Sequence, residues 1–286
     1  MATPMSATQV IAQLKKWKIA YKEPFSGWAT HNRGNRGNGW GPVNGFVWHH
    51  TGGDNTSMSF LYNGTTALPG PLCQFSIDPQ GVVNLIGWGR ANHAGGGDPA
   101  VLNHVIAEDY SGQLTPHYGE GDSGAYDGNG RFYGVEIVYS GSHGMTKSQY
   151  TAALRLSAAI FDFHGWTEKS AIGHYEWSDQ KWDPGYAPGK HMDMSAVRAD
   201  IKATIAAGPT GGSTSVSVPE KTQAYKDVFE SDVAEPPIGH ATVANPKWWA
   251  INILRGAYSQ AEAARIAAEE NNAILKKIAA KLGVEL

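Results

Sequence analysis

The spacing of apolar positions changes several times along this chain, and each change predicts an element. Val10, Ile11, Leu14 and Trp17 recur at helical spacing behind Ser6, a residue suited to cap a helix. Residues 22–45, rich in Gly, Asn and Pro, predict a long surface loop. Phe46-Val47-Trp48-His49-His50 is a short apolar run ended by Gly52 and Gly53, the pattern of a buried strand closing in two histidines. Residues 57–63 predict a short helix with Met58, Leu61 and Tyr62 turned inward. Strands follow over 72–77 and 82–86, with Asp78-Pro79-Gln80-Gly81 as the turn between them. Asp98 is placed to cap a helix carrying Val101, Leu102, Val105 and Ile106.

Residues 111–131 are glycine-rich and predict a long loop. Residues 132–139 predict a strand, apolar except for one acid, Glu136. Thr146 caps a long helix through His164, with Tyr150, Leu154, Ile160 and Phe161 as its buried stripe. Residues 172–189 predict a loop and 194–206 a further helix. Together these elements make an α/β fold: a central mixed β-sheet flanked by helices, plus a long C-terminal helix. The expected organisation is a main domain over 1–207, a linker and irregular segment over 208–246, and a helical segment over 247–286. The last helix carries a weak heptad through Ile251, Leu254, Tyr258, Ala261, Ala268, Leu275, Ala279 and Leu282, broken by Arg265 and Asn272. A homo-oligomer through that seam, packing on the main domain and a solvated alanine-rich helix are its readings.

Composition narrows the classes. The chain has 286 residues and a net charge of −3, with no basic block, so nucleic acid is not an expected partner. Cys73 is the single cysteine, which excludes an internal disulfide and fits synthesis in a reducing cytoplasm. The N-terminus lacks the pattern of a signal peptide, and no stretch is long and apolar enough for stable membrane insertion. The expectation is a protein held in a cytoplasm until something else releases it.

The chemistry-bearing residues are spread over the main domain. His49 stands at a strand end, and His174 and Asp183 lie in one later stretch. Two neutral imidazoles and a carboxylate satisfy zinc at three positions and leave a fourth for water. Adjacent strand residues point to opposite faces, so His49 and His50 do not share one cleft. Glu136 is a carboxylate in an otherwise apolar strand, which costs free energy unless the group is paired or used. It is a candidate proton carrier, and Lys181, two residues before Asp183, is a candidate to stabilise an oxyanion. A structural buried acid and a surface lysine are the plainer alternatives.

His-His-Thr-Gly after a strand, Gly-Val-Glu-Ile in a later strand, and Gly-His followed by Lys-x-Asp-Pro-Gly resemble the type-2 N-acetylmuramoyl-L-alanine amidases, a group that includes phage endolysins, recycling amidases and peptidoglycan recognition proteins. The likeness spans roughly residues 40–205. Pro71-Leu72-Cys73-Gln74-Phe75 and Arg90-Ala91-Asn92-His93-Ala94-Gly95 also resemble endolysins of phages that infect actinobacteria. The resemblance implies a Zn2+ cofactor held by His49, His174 and Asp183, with Glu136 and Lys181 catalytic. It favours His49 over His50, because the first histidine of such a pair usually binds the metal. It implies bacterial peptidoglycan as partner and host lysis as the setting, released through a holin-type pore. His93, Trp88 and Trp177 are candidates to bind substrate, with a backbone-bonded histidine and packed core aromatics as the alternatives. Many relatives carry a tyrosine where this chain has Cys73, so any role of that tyrosine falls to Glu136 or is absent. The rival functions are a cellular muropeptide-recycling amidase and a non-catalytic peptidoglycan-binding module.

Overall fold

The computed structural model describes residues 2–34, 39–121 and 126–210. The expected linker beyond residue 210, the C-terminal helix and its self-association lie outside the described residues. Helices α1 (Ala7–Lys16), α2 (Met58–Asn63), α3 (Pro99–Ala107), α4 (Lys147–His164), α5 (His174–Trp177) and α6 (Met194–Ala207) alternate with ten short strands. The strands are β1 (Tyr21–Lys22), β2 (Phe46–His50), β3 (Phe75–Ile77), β4 (Val83–Leu85), β5 (Gly96–Gly97), β6 (Tyr126–Asp127), β7 (Tyr133–Ile137), β8 (Ala171–Gly173), β9 (Gly185–Ala187) and β10 (Lys190–His191).

Six strands form one sheet in the order β1-β4-β3-β7-β2-β8, parallel everywhere except the β3–β4 hairpin. The fold is thus the expected mixed sheet with flanking helices. The expected helix caps form: Ser6 and Thr146 each close a capping box, and Asp98 accepts from Ala100 N–H. Three stretches differ from expectation, one being the predicted loop over 111–131, whose end holds β6. The predicted loop over 22–45 is preceded by the edge strand β1, whose two residues are too short to show a period. The predicted loop over 172–189 contains β8, α5 and β9, so His174 sits at a strand-to-helix corner.

Strand parity divides the sheet. Phe46 and Trp48, Phe75 and Ile77, Val83 and Leu85, and Tyr133, Val135 and Ile137 all enter the main core with residues of α1, α4 and α6. Trp48 Nε1 donates to Ser157 Oγ at 3.0 Å, which ties the central strand to α4. The opposite parity is polar in the middle of the sheet. Asn84, Ser76, Glu136 and His49 are in-register neighbours across β4, β3, β7 and β2. Two smaller apolar clusters flank this row, one around Val47, Ile172 and Trp177 and one around Leu61, Cys73 and Ile86.

Candidate active site

The site lies where β2 and β8 end. His49 is the fourth residue of β2 and His174 opens α5, directly after β8. Asp183 reaches them from the segment before β9, whose backbone is held by Tyr175 N–H donating to the Asp183 carbonyl. His49 Nδ1, His174 Nδ1 and Asp183 Oδ2 form a triangle with edges of 3.0, 2.9 and 3.0 Å. All three residues are at least nine-tenths buried.

Hydrogen bonds alone do not satisfy this triangle. The Ala94 carbonyl, 3.2 Å from His174 Nε2, can only accept, so Nε2 carries the proton. In a neutral imidazole His174 Nδ1 is then a bare lone pair, and it faces a carboxylate oxygen at 3.0 Å. A cation at the centre removes that conflict. Ligand distances of about 2.0–2.1 Å in a tetrahedral zinc site put donor atoms about 3.3 Å apart, close to the edges seen. The donor set, two imidazoles and a carboxylate, also fits zinc. Among the described residues this is the one group of His, Cys, Asp and Glu with such convergence.

Charge follows geometry. Burial, then the neighbouring His174, lowers the His49 pKa to about 4, and the imidazole stays neutral as a ligand must. Burial alone would raise the Asp183 carboxyl, but His174 and His49 hold it well below the usual carboxylate range. Glu136 moves the other way. Burial, then the Asp183 charge, pushes its carboxyl well above the ordinary value, with Lys181 opposing. Its Oε2 is enclosed and has no hydrogen-bond partner. Glu136 pairs in register with His49, so the two side chains leave the sheet on one face. Lys181 is close enough to act on both Glu136 and His49.

Three sequence expectations change here. Trp88 is 6 % exposed, with Nε1 bonded to the Met5 carbonyl and its ring set among Trp28, Trp40, Phe75 and Tyr133. Trp177 is fully buried, in a slot where a Cβ on Gly97 would come within 2.2 Å of the indole. Neither ring has a face free for a saccharide. His93 is also buried; its Nδ1 lies 3.1 Å from His49 Nε2, behind the metal face. It lies flat against Gly134, where a Cβ would sit 2.4 Å from Nδ1. His50 points to the other face and accepts from Gly185 N–H at 2.9 Å, backing the turn after Asp183. Cys73 is a buried thiol raised well above its usual pKa, chiefly by burial.

Sequence pattern alone missed the residues that support the site. Asn129 Oδ1 accepts from three successive backbone N–H groups of the loop holding His93 and Ala94. The Arg198 guanidinium meets Glu176 in two contacts of 2.9 Å and so fixes α5, which carries His174. Two signals pointed that way: an Asn between two glycines just before a strand, and an isolated glycine, Gly134, inside one.

A family model described as N-acetylmuramoyl-L-alanine amidase matches residues 39–186. No curated protein is similar enough to count as a match. Among solved structures, the endolysin N-acetylmuramoyl-L-alanine amidase LysCS from Clostridium intestinale URNW is 19 % identical, with 66 % of this chain and 95 % of that chain covered at a TM-score of 0.39. Staphylococcus aureus hydrolase AmiA with its ligand is 14 % identical, with 72 % and 94 % covered at 0.41. A Drosophila PGRP-LB mutant in complex with tracheal cytotoxin is 16 % identical, with 58 % and 89 % covered at 0.36.

Proposed function

Because the chain belongs to the N-acetylmuramoyl-L-alanine amidase family, we propose that it is a zinc-dependent peptidoglycan hydrolase, cutting the amide between the lactyl carbonyl of N-acetylmuramic acid and the nitrogen of L-alanine. The observation that carries this reading is the triangle of His49 Nδ1, His174 Nδ1 and Asp183 Oδ2, with Glu136 on the same face of the sheet. Those three residues would hold the zinc. When bound, zinc supplies a Lewis acid for the carbonyl and a hydroxide at neutral pH.

The remaining work falls to the chain's own groups. Two carboxyls whose pKa values are driven apart take different roles. Asp183 stays ionised and serves as a ligand. Glu136 is poised to hold a proton, which it takes from the attacking water and passes to the departing amine nitrogen. The Lys181 ammonium stabilises the oxygen that becomes negative in the tetrahedral intermediate. Cys73 keeps its proton and takes no part.

The setting we propose is phage endolysis, supported by the likeness of Arg90-Ala91-Asn92-His93-Ala94-Gly95 to endolysins of actinobacterial phages. In this reading residues 1–207 are the catalytic unit, joined by 208–246 to a wall-binding or oligomerising segment over 247–286. Among the described residues no helix is long and apolar enough to cross a membrane.

Mass spectrometry of products from purified peptidoglycan, with and without a chelator, tests the reaction. Free stem peptides beginning at L-alanine, lost on chelation and restored by zinc, are expected. Muropeptides with cut glycan or cut cross-bridges would mean a different bond. Protein that pellets with walls but releases nothing would mean a binding module.

A further inference from the structure

Both imidazoles of the triangle are held from behind by one loop, and one side chain takes the amides of the two residues that hold them. His93 Nδ1 lies 3.1 Å from His49 Nε2, and the Ala94 carbonyl accepts from His174 Nε2 at 3.2 Å. The two supporting residues are consecutive. Asn129 Oδ1 accepts from the backbone N–H groups of His93, Ala94 and Gly95 at 2.8, 2.8 and 3.1 Å. Asn129 is 7 % exposed and sits in the short turn Gly128–Gly130 just before β7. One side-chain oxygen therefore reaches both imidazoles, each through a single intervening residue.

The surroundings show why an anchor is needed there. Ala94 is followed by Gly95-Gly96-Gly97, so no side chain fastens the loop downstream. Its flanks are closed by Arg33 N–H donating to the Arg90 carbonyl, Asn92 N–H to the Pro71 carbonyl, Gly128 N–H to the Gly95 carbonyl, Arg90 gripping the Asp127 carboxylate and the pairing of β5 with β6, while the amides of His93 and Ala94 go to Asn129. Two buried amides and one half-buried one would lose their acceptor without Asn129, and each buried orphan is costly.

We propose that Asn129 is a positioning residue for the metal centre. By holding three consecutive amides it fixes where His93 Nδ1 and the Ala94 carbonyl stand. The Ala94 carbonyl takes the Nε2 proton of His174, so that Nδ1 lone pair is bare, and His93 Nδ1 sets the orientation of the His49 ring from its Nε2 side. Partners that orient a ligand in this way govern metal affinity as well as geometry. The inference rests on the metal reading above.

The test uses the full chain. Zinc affinity is measured by competition with a chromogenic chelator for wild type, Asn129→Ala and Asn129→Asp, each at a temperature where the metal-free form is folded. Asn129→Ala should weaken zinc binding roughly 10–100-fold. Asn129→Asp keeps an oxygen facing all three amides and should stay within about threefold of wild type. Long-range proton–nitrogen spectra of the metal-free forms read the tautomers directly. His174 should be protonated at Nε2 in wild type and Asn129→Asp, and mixed in Asn129→Ala. Should Asn129→Ala not fold, Asn129→Ser replaces it, its hydroxyl being too short to reach all three amides. A lower melting temperature with unchanged zinc affinity and unchanged tautomers would overturn the proposal and leave Asn129 a loop staple. Wild type that binds no zinc would instead overturn the metal reading itself.

Discussion

His174 and Glu176 stand two residues apart on α5, yet they belong to buried ionic clusters of opposite character. Glu176 is closed. Its carboxylate receives two contacts from Arg198 and one each from the Leu114 and Gly173 amides, all at 2.9–3.1 Å. Arg198 spends a further contact on the Ala171 carbonyl. His174 is open. Its Nδ1 converges with two other acceptors, and the nearby Glu136 Oε2 has no partner at all. The difference teaches how to read a buried charge. A cluster in which each group is matched holds the backbone, while one with more lone pairs than protons awaits a cation or a reacting group.

The sharpest way to break that comparison is to neutralise the open cluster without changing its shape. Glu136→Gln should lower kcat by about 10^2–10^4, the range for loss of a general acid–base group. Zinc stoichiometry should stay at wild type, and the urea midpoint should not fall, because a buried carboxyl without a full set of partners contributes nothing to stability. Steady-state release of stem peptides, metal analysis and urea titration on one preparation check all three. Normal turnover would remove Glu136 from the chemistry.

Breaking the closed cluster should do the reverse. Arg198→Met leaves the Glu176 carboxylate buried against two amides and no cation, a change that costs about 3–5 kcal/mol. The urea midpoint should drop accordingly, while activity per folded molecule stays near wild type at low temperature. Adding Glu176→Leu should recover only part of the loss. The Leu114 and Gly173 amides would then lack an acceptor, at about 1–3 kcal/mol each. Activity that falls in step with neither stability nor zinc content would show that the corner shapes the cleft directly.

The two clusters were not equally legible in the sequence. His49 and Glu136 stood out as candidates because each breaks a local pattern, a histidine closing an apolar strand and an acid inside one, while His174 and Asp183 were picked out from a polar stretch by the resemblance of Gly-His and Lys-x-Asp-Pro-Gly. The main helices and the hairpin were readable from period and caps. Glu176 and Arg198 were not, since an acid near a turn and an arginine on a helix look like surface residues until the fold buries both. The same holds for Trp88 and Trp177. Loop context suggested exposed aromatics, and only the tertiary packing on Met5 and Gly97 puts them inside. Edge strand β1 and the corner β8–α5 are too short to carry a period of their own.

The smallest effect separates the clusters by pH. His49 in the open cluster and His164 far from it both have pKa values lowered to about 4, each chiefly by burial. In the unfolded chain both sit near the ordinary value of 6.5. As pH falls below about 6.5 the unfolded chain takes up protons first, so both histidines contribute stability that is present above 6.5 and is lost on the way down to about 4. Each adds a slope no steeper than about 1.4 kcal/mol per pH unit. His50 and His93 are lowered in the same sense, again chiefly by burial. Zinc tells the two environments apart. His164 bonds the Tyr133 hydroxyl and packs on the Tyr133, Phe163 and Trp166 rings, none of them a candidate metal ligand, so its share of the slope should persist whether or not zinc is present. His49 must be neutral to bind metal, and in the folded chain it takes up a proton only near pH 4, so the stabilisation that zinc adds should persist through that window and shrink only as pH approaches and passes about 4. Urea midpoints at five pH values between 7.5 and 3.5, with zinc and with chelator, for wild type and His164→Gln, resolve the two shares. His164→Gln should flatten the chelated curve and leave the zinc-dependent difference between curves unchanged. A zinc-dependent difference that holds constant down to pH 3.5, below the folded His49 value of about 4, would mean that His49 is not a ligand, and the open cluster would need another explanation.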